Sequence, residues 1–264
     1  MTKNKRLSII LPSYNDFRIE RAIKSIRRFD DIGVVRIVVV DGGSSYEVKH
    51  AITNCLSSDD TFISEPDGGI FDALNKGLDA SETDYIGWLG SDDMFTGKVL
   101  ASRVILLLEK YDLFVANVNF FDKGYVTRTT FALPSCLGLT KFGLHNPHYG
   151  TFGSAALLKS ERFNLGLRGS DIEYFIKIFN KKPRVTSLNL TVTLQEEGGF
   201  SNSSYLEILR TNYELISLFG VLGPISIVVK LGVKLSSKIY YKIFRVRLKS
   251  HFFRKLTKTK GAEK

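Results

Sequence analysis

The stretch LSIILPSYNDFRIERAIKSIRRFDDIGVVRIVVVDGG, residues 7–43, decides the fold class. It contains two apolar runs, Leu7 to Pro12 and Val34 to Val40, which are typical of buried strands. Between them, the segment from Arg18 to Phe29 carries apolar residues at helical spacing: Ile19, Ala22, Ile23 and Ile26. Two strands joined by a helix form a β-α-β unit, in which the strands are parallel. The stretch therefore predicts an α/β fold.

The same alternation continues along the chain. Further strand-like runs and helical patterns follow one another: strands at 61–64 and 85–89, helices near 70–80 and 99–110, then strand-like pieces at 113–120 and 185–194 and a helix at 170–179. We expect a mostly parallel sheet with helices packed against it.

Four polar loops follow the predicted strands, at residues 12–16, 41–45, 65–69 and 90–94. In open α/β sheets, ligands bind beyond the carboxyl ends of the strands. Because these loops are rich in Asn, Asp, Gly and Ser, the sequence predicts the ligand site at this edge.

The fourth loop contains two adjacent carboxylates, Asp92 and Asp93, directly after an apolar strand. Mg²⁺ and Mn²⁺ prefer hard oxygen ligands and keep several waters, so one or two carboxylates beside a diphosphate can hold the ion. The alternative is that an Asp caps a following helix, because Asp is a preferred N-cap residue.

Three segments together carry a resemblance: VVVDGGSSYEV from residue 38, SEPDGGIFDALNKGLDAS from residue 64 and WLGSDDMF from residue 88. They resemble the family 2 glycosyltransferases of the GT-A fold, in particular the bacterial branch that assembles colanic acid, capsule and O-antigen. The resemblance covers roughly residues 6–204. It implies a Rossmann-like, mostly parallel sheet with helices on both faces, a nucleotide-diphosphate sugar donor, and Mn²⁺ or Mg²⁺ as the cofactor.

By this resemblance, Asp41 contacts the nucleotide base and Asp67 lies near the base or ribose. Asp93 is the principal metal ligand under the diphosphate, and Asp92 fills the neighbouring motif position. The fuller form of the family motif is D-x-D, and this chain has Ser91 at its first position.

Further donor-site residues lie in the same loops and in the helix after the third. Pro12, Tyr14 and Asn15 are expected to shape the site, and Gly68 to let the backbone approach the ligand. The alternative for Gly68 is a tight turn with positive φ. Lys76 could face the diphosphate, although a solvated lysine is an equal alternative.

An inverting transfer needs a general base for the acceptor hydroxyl. The segment RGSDIEY, residues 168–174, resembles the family segment that supplies this base, which implies Asp171, with Glu173 as the second choice. The alternative is structural: Ser170 or Asp171 caps the helix, and Glu173 complements its dipole.

Two more segments resemble elements of this branch. NPHYGTF, residues 146–152, places His148 where it could donate to a phosphate or acceptor oxygen, although a lone His is often a packing residue. EGGFS, residues 197–201, resembles a loop near the acceptor and diphosphate.

Composition bounds the class of protein. With 44% hydrophobic residues in 264, the chain can bury a sizeable core. Two cysteines without CxxC spacing argue against a disulfide framework or a structural zinc site. No long apolar segment follows the first residues, so we expect no secretory signal and a cytoplasmic location.

The formal net charge of +10 lies entirely in the last 60 residues. Residues 205–264 hold 13 Lys and Arg against 3 Asp and Glu, whereas residues 1–204 are balanced. Basic residues recur every three or four positions, which draws one cationic stripe along a helix: Lys230, Lys234, Lys238, Lys242, Arg245 and Lys249. Apolar residues lie between them, and the lysines interrupt any 20-residue span. The pattern predicts a helix on an anionic membrane surface; the alternative is a solvated face of a packed helix.

We therefore expect a catalytic domain over 1–204 and a basic amphipathic extension over 205–264. The expected protein is an inverting glycosyltransferase, peripheral on the inner face of the cell membrane, with a lipid-linked glycan as acceptor. Two alternatives stay open. A sugar-phosphate nucleotidyltransferase shares the fold logic but would open with a basic glycine-rich loop, which PSYN at 12–15 is not. A nucleic-acid-binding module could use the basic tail, but the acidic loops would repel phosphates, so no nucleic-acid partner is expected.

Overall fold

The computed structural model describes residues 5–132 and 148–197, together with residues 213, 214, 228, 232, 235, 236 and 239–243. The strands in these ranges are β1 (Leu7–Ser13), β2 (Val35–Asp41), β3 (Thr61–Ser64), β4 (Tyr85–Trp88), β5 (Met94–Phe95), β6 (Leu113–Asp122), β7 (Tyr125–Thr130), β8 (Thr151–Ser154) and β9 (Val185–Glu196). The helices are α1 (Ile19–Phe29), α2 (Tyr46–Thr53), α3 (Ile70–Ala80), α4 (Ala101–Leu108), α5 (Ala155–Leu158) and α6 (Ser170–Asn180).

The described strands form one sheet in the order β3-β2-β1-β4-β8-β6-β9-β5, with β7 paired to β6. The first four are parallel, as the β-α-β pattern predicts. Beyond β4 the sheet becomes mixed, because β8 runs antiparallel to both β4 and β6, while β6 and β9 are parallel. The α/β, Rossmann-like class is confirmed, with an antiparallel contribution from the second half of the chain.

Helices cover both faces of the sheet, as expected. One core packs α1, α2 and α4 against the sheet, and the other packs α3 and α6 against its opposite face. Successive strand residues alternate between the cores: Ile9 and Leu11 of β1 face the first, whereas Ile10 faces the second. Because β1 lies between β2 and β4, every one of its residues is buried.

Helix α3 lies unusually close to the central strand. A Cβ built on Gly77 would lie 2.3 Å from Cγ2 of Ile10, so only glycine fits at this crossing. The close contact fixes the position of α3 against β1. As a result, the loop that precedes α3, residues 65–69, meets the loops that follow β1 and β2.

Several elements were not predicted from the sequence. Helix α2, strands β7 and β8 and the two-residue strand β5 are short, and short segments carry little periodic signal. The helix predicted over 99–110 is shorter in the structure, where α4 begins at Ala101 and ends at Leu108. The other predicted boundaries agree within two residues.

Only isolated positions of the tail are described. They are helical, and their large apolar side chains are exposed: Val228, Leu235, Ile239 and Ile243. Lys242 is exposed as well; the other residues of the basic stripe and the boundary at residue 204 lie outside the described residues. Within the part of the chain that the structure describes, no helix has the length and apolarity needed to cross a bilayer.

Candidate functional site

The adjacent carboxylates Asp92 and Asp93 lie between two strands of the sheet. They follow β4 and precede β5, so they cap no helix, and this alternative is excluded. Asp93 is 2% exposed. Its Oδ2 accepts from Nε2 of Gln195 at 3.1 Å, and its Oδ1 accepts from the backbone N–H of Glu196 at 3.3 Å. The end of β9 therefore holds Asp93 in place.

Because Gly90 has no side chain, it leaves space for the carboxylates of Asp92 and Asp93. A Cβ at this position would lie 2.6 Å from Oδ2 of Asp93 and 3.0 Å from Oδ1 of Asp92. Burial, and secondly the charge of Asp92, raises the pKa of Asp93 to about 8. Burial disfavours the charged form of a carboxyl group, and the neighbouring negative charge adds to this effect.

Two arginines reach the carboxylate loop: Arg21 within α1, and Arg18, which directly precedes this helix. Nη2 of Arg21 donates to the backbone oxygen of Asp92 at 2.6 Å and to Oε2 of Glu196 at 2.7 Å. Arg18 pairs with Asp16 at 2.9 Å and lies 3.7 Å from Asp92 and 3.6 Å from Glu196. Sequence reasoning missed Arg18, Arg21 and Glu196, because nothing in the local sequence relates β9 to α1.

This charge cluster fits a divalent cation. The carboxylates of Asp16, Asp92 and Glu196 lie near two arginines, and Asp93 is adjacent to Asp92. With all four carboxylates ionised, the cluster carries a net charge of −2. Among the described residues, however, no three acidic, His or Cys side chains form a metal cage. A cation here would therefore need oxygens from a ligand and from water to complete its coordination, as Mg²⁺ usually does.

Asp41 lies at the end of β2 and is completely buried. Its carboxylate accepts from the backbone N–H of Ser44 at 3.0 Å, from the Ser44 hydroxyl, and from the Ser64 hydroxyl at 2.8 Å. In this structure, Asp41 thus ties the second loop to the end of β3. The predicted contact with a base would require one of these partners to give way.

Asp67 and Gly42 lie against each other across the second and third loops. A Cβ on Gly42 would lie 2.9 Å from Oδ2 of Asp67, so glycine is required for this approach. Oδ1 of Asp67 accepts from the backbone N–H of Gly69 at 2.9 Å. Gly68 donates its backbone N–H to Asp72 at 3.0 Å. These contacts bring the predicted Asp67 and Gly68 to the same edge as Asp41.

The first loop is held to the second by Asn15. Its φ of 48° is positive, and its backbone N–H donates to the Ser44 hydroxyl at 2.7 Å. Its side-chain oxygen accepts from the backbone N–H of Ser45 at 2.9 Å. Tyr14 is 66% exposed beside this link, whereas Pro12 is buried in β1. Tyr14 therefore offers an aromatic surface at the mouth of the loops.

Lys76 lies in the second turn of α3 and forms ion pairs with two acids. Its Nζ is 2.8 Å from Glu65 and 3.5 Å from Asp72. The ion pair with Glu65 is the main cause that raises the pKa of Lys76. Lys76 therefore fastens α3 to the third loop, and its ammonium is available to a diphosphate only at the expense of these pairs.

His148 begins a short 3₁₀ turn, His148–Gly150, beneath the carboxylate loop. Its ring stacks on Tyr149 with centroids 4.7 Å apart and meets the edge of Trp88 at 5.1 Å. Phe163 and Phe175 complete this aromatic cluster. The contacts favour a packing role, in which His148 supports the loop that follows Trp88.

The charges of Asp171 and of the two carboxylates in the fourth loop all act on the buried phenol of Tyr149. Burial raises the pKa of Tyr149, and Asp93, Asp92 and Asp171 raise it further. The structure thus brings the predicted base and the predicted metal ligand to the same side of the molecule. Asp171 lies in the first turn of α6, where the helix dipole favours its negative charge.

The capping alternative for this turn is not observed, whereas Glu173 does lie in the first turn, where it can complement the helix dipole. The N-cap of α6 is Gly169, without a side-chain capping bond, and the Ser170 hydroxyl instead accepts from the backbone N–H of Asn164 at 2.6 Å. Glu173, the second choice for the base, forms an ion pair with Lys177 at 2.9 Å.

The tail contributes a contact that the sequence did not indicate. Oε2 of Glu214 accepts from the backbone N–H of Arg168 at 2.9 Å and of Gly169 at 3.3 Å. These residues immediately precede the helix that carries Asp171. A tail residue therefore holds the entry to the predicted base helix.

Comparisons with known proteins agree with this geometry. A family model described as glycosyl transferase family 2 matches residues 8–161, more than half of the chain. Two uncharacterized glycosyltransferases of Mycobacterium tuberculosis, from strains CDC 1551 and H37Rv, are each 33% identical over 106 residues. This match covers 40% of the chain and 40% of each relative.

Solved structures share the fold at low identity. Staphylococcus aureus TarS 1-349 in complex with UDP-GlcNAc is 18% identical, with a TM-score of 0.59, over 80% of this chain and 66% of that one. A mannosyltransferase of Pyrobaculum calidifontis in complex with GDP-Man and Mn²⁺ is 14% identical, with a TM-score of 0.57, over 92% and 76%. Because the family model spans all four strand-end loops, the carboxylate motif included, and more than half of the chain, the chain belongs to glycosyl transferase family 2.

Proposed function

We propose that this protein transfers a sugar, with inversion, from a nucleotide-diphosphate sugar to a glycan acceptor. The observation that carries the proposal is that the buried carboxylate loop with Asp92 and Asp93 follows β4 at the same edge of the sheet as the loops that hold Asp41 and Asp67. In the proposal, this edge would provide a diphosphate site and a nucleotide site, and Asp171 of α6 would be the base. This arrangement favours glycosyl transfer over nucleotidyl transfer, which needs no base for a sugar hydroxyl acceptor.

In the proposed reaction, the Asp171 carboxylate takes the proton of the acceptor hydroxyl. The hydroxyl oxygen bonds to the anomeric carbon as the bond from that carbon to the diphosphate breaks, and the nucleoside diphosphate leaves. Asp171 lies in the first turn of α6, where the helix dipole favours a negative charge. Glu214 would hold this turn in place from the tail.

Asp93, and beside it Asp92, would hold Mn²⁺ or Mg²⁺ against the diphosphate. The ion would supply the positive charge that stabilises the leaving group. Gln195 and Glu196 orient the Asp93 carboxylate, and Arg21 fixes the backbone of Asp92. Two proteins of similar fold were solved with Mn²⁺: the mannosyltransferase described above and a glucosyl-3-phosphoglycerate synthase of Mycobacterium tuberculosis.

The donor would lie across the first three loops. Its nucleotide base would lie between Tyr14 and Asp67, and the backbone of Gly68 would lie beside the donor. Pro12, Asn15 and Asp41 would set the shape of this pocket.

Two further residues would act from below and from the side. His148 would support the floor of the pocket, and Lys76 would give up its ion pairs with Glu65 and Asp72 to approach the diphosphate. TarS and the mannosyltransferase were solved with UDP-GlcNAc and GDP-Man respectively, which supports a donor of this class.

The donor class is tested by measuring nucleotide release. The purified chain is mixed with UDP-, GDP-, dTDP- and CMP-sugars, with Mn²⁺ or Mg²⁺ and with chelator. We expect one nucleotide series to be hydrolysed slowly without acceptor, and only with the cation. If no donor binds or releases nucleotide with either cation, the proposal is wrong.

For the acceptor we propose a lipid-linked glycan of colanic acid, capsule or O-antigen type, reached at the inner face of the cell membrane. The support is the tail. Its described positions expose Leu235, Ile239 and Ile243 together with Lys242, so apolar and basic groups are both available to an anionic lipid surface. The cytoplasmic location belongs to this proposal.

Reversing the charge of Lys234, Lys238 and Lys242 to Glu should weaken binding to anionic vesicles at least about 100-fold. Each basic residue near such a surface contributes about 1 kcal/mol, and 1.4 kcal/mol is tenfold in affinity. Co-sedimentation with vesicles of rising anionic lipid fraction measures the effect. Because salt screens charge, added salt should weaken the wild type as well.

A matched control carries the same change in net charge on the catalytic domain. Lys98, Lys110 and Lys182 are exposed there, and their replacement by Glu should leave vesicle binding nearly unchanged. An equal loss in the control, or a wild-type chain that stays in the supernatant at low salt, would show that the tail does not bind membranes.

A further inference from the structure

A cavity of about 590 Å³ lies between the β6–β7 hairpin, the end of β9 and the tail. Its lining includes two acids, two lysines and two tyrosines: Asp122, Lys123, Tyr125, Glu197, Tyr241 and Lys242. None of these side chains belongs to the donor loops or to the carboxylate motif. The cavity is therefore separate from the predicted donor site.

The cavity nevertheless borders the metal motif. Glu197 lines the cavity and directly follows Glu196, whose carboxylate binds Arg21 beside Asp92. The backbone N–H of Glu197 donates to the oxygen of Phe121 at 2.9 Å, which joins the end of β9 to the hairpin. Since β5, β9 and β6 are neighbours, the hairpin begins two strand spacings, roughly 10 Å, from the motif.

Hydrogen bonds fix the walls of the cavity. The Thr127 hydroxyl donates to Oε1 of Glu197 at 2.9 Å, which fastens β7 to the end of β9. The hydroxyls of Thr129 and Tyr241 lie 2.5 Å apart, which fastens the tail to β7. Below them, the Arg128 guanidinium lies 3.4 Å over the Phe120 ring. A pocket with bonded walls requires little ordering when a ligand enters.

The chemistry of the lining selects a class of ligand. Among the described lining residues, two carboxylates and two ammonium groups balance, so these side chains by themselves favour neither an anion nor a cation. Four charged groups also disfavour a purely apolar ligand, because they would lose water without gaining partners. Donors and acceptors set around two aromatic rings suit a neutral polyhydroxylated molecule. A saccharide has this character.

We propose that this cavity binds the acceptor saccharide and presents its hydroxyl toward the reaction edge. This inference rests on the proposed function and names the site of the second substrate. In this arrangement the tail contacts both parts of a lipid-linked acceptor. The exposed side chains of Ile239 and Ile243 are available to the lipid. Tyr241 and Lys242, which lie between them in the sequence, line the sugar cavity.

The test measures saccharide binding directly on the full chain by saturation-transfer NMR. The probes are methyl glycosides of glucose, galactose, mannose, rhamnose and N-acetylglucosamine at about 5 mM, since Kd near 1 mM corresponds to only about −4 kcal/mol. We expect at least one glycoside to bind the wild type. Its Kd should rise at least tenfold in Tyr125→Ala and in Lys242→Ala.

Tyr111→Ala is the matched control, because Tyr111 is 37% exposed, against 42% for Tyr125, and lies before β6, away from the cavity. It should keep glycoside affinity. Donor affinity with Mn²⁺ is measured in parallel and should stay within about twofold in all three variants, because none touches the donor loops.

The outcomes separate this inference from the proposed function. If the donor binds but no glycoside does, or if glycoside affinity is unchanged in Tyr125→Ala and Lys242→Ala, the cavity is not the acceptor site. If glycosides bind but no nucleotide sugar does, the transferase proposal fails, and the acceptor role of the cavity fails with it.

Discussion

The Asp93→Asn variant should bind a nucleotide-sugar donor equally weakly with Mn²⁺ and with chelator. The reason is that Asn keeps the shape of Asp93 but carries no charge for a cation. Its oxygen can still accept from the backbone N–H of Glu196, and its NH₂ group can bond to Gln195 once the Gln195 amide turns to present its oxygen. Loss of a residue that hydrogen-bonds to a metal ligand lowers metal affinity by about 10–100-fold. We therefore expect loss of the ligand itself to lower metal affinity by more than about 100-fold. Donor titration by calorimetry, with and without Mn²⁺, measures the change.

Asp79→Asn serves as the control. Asp79 is an exposed carboxylate on α3 that pairs with Arg162, far along the helix from the loops. Its replacement should leave cation-dependent donor binding intact. Equal donor affinity in the wild type and in Asp93→Asn under all conditions would contradict the assignment of Asp93 as metal ligand.

The Asp171→Asn variant should retain donor affinity within about twofold, yet lose transfer by at least about 100-fold. General base catalysis typically contributes 10²–10⁴-fold, and an amide cannot accept the acceptor proton. The substitution preserves the size of the side chain at the start of α6, and a thermal melt checks that the helix persists. Single-turnover transfer to a glycan acceptor measures the chemical step separately from binding.

Glu173→Gln is the matched control for the base, because Glu173 lies in the same helical turn and is paired with Lys177. It should keep most of the activity. A loss below about tenfold in Asp171→Asn would remove Asp171 as the base, and a large loss in Glu173→Gln alone would move the role to that residue.

Much of the site was predictable because its parts are local. Each strand-end loop follows an apolar run, and parallel strands place their carboxyl ends at one edge, so loops 24 to 78 residues apart had to meet. Asp92 and Asp93 could be singled out because they directly follow an apolar strand at the edge where ligands bind, and because their segment resembles the family motif. Of the glycines, only Gly68 was expected to allow a close approach, and the structure adds Gly42 and Gly77 through the atoms that a Cβ would strike.

The short elements were not predictable in this way. Strand β5 has two residues, and helix α5 has four, so neither contains a full period of its pattern. The structure shows that β5 exists because it pairs with the end of β9, which lies about a hundred residues later. Such pairing depends on the whole sheet being formed.

By itself, the sequence determined the α/β class, the edge that holds the site and the candidate carboxylates, because periodicity and chain order act over short distances. Only the tertiary structure decided that Gln195 and Glu196 hold Asp93, that Arg21 joins α1 to the carboxylate loop, and that Glu214 supports the base helix. It also closed the cavity between the hairpin and the tail. These contacts join residues 45 to 103 positions apart, and no local propensity encodes them: packing of β9 and the tail against the first half of the chain brings them together.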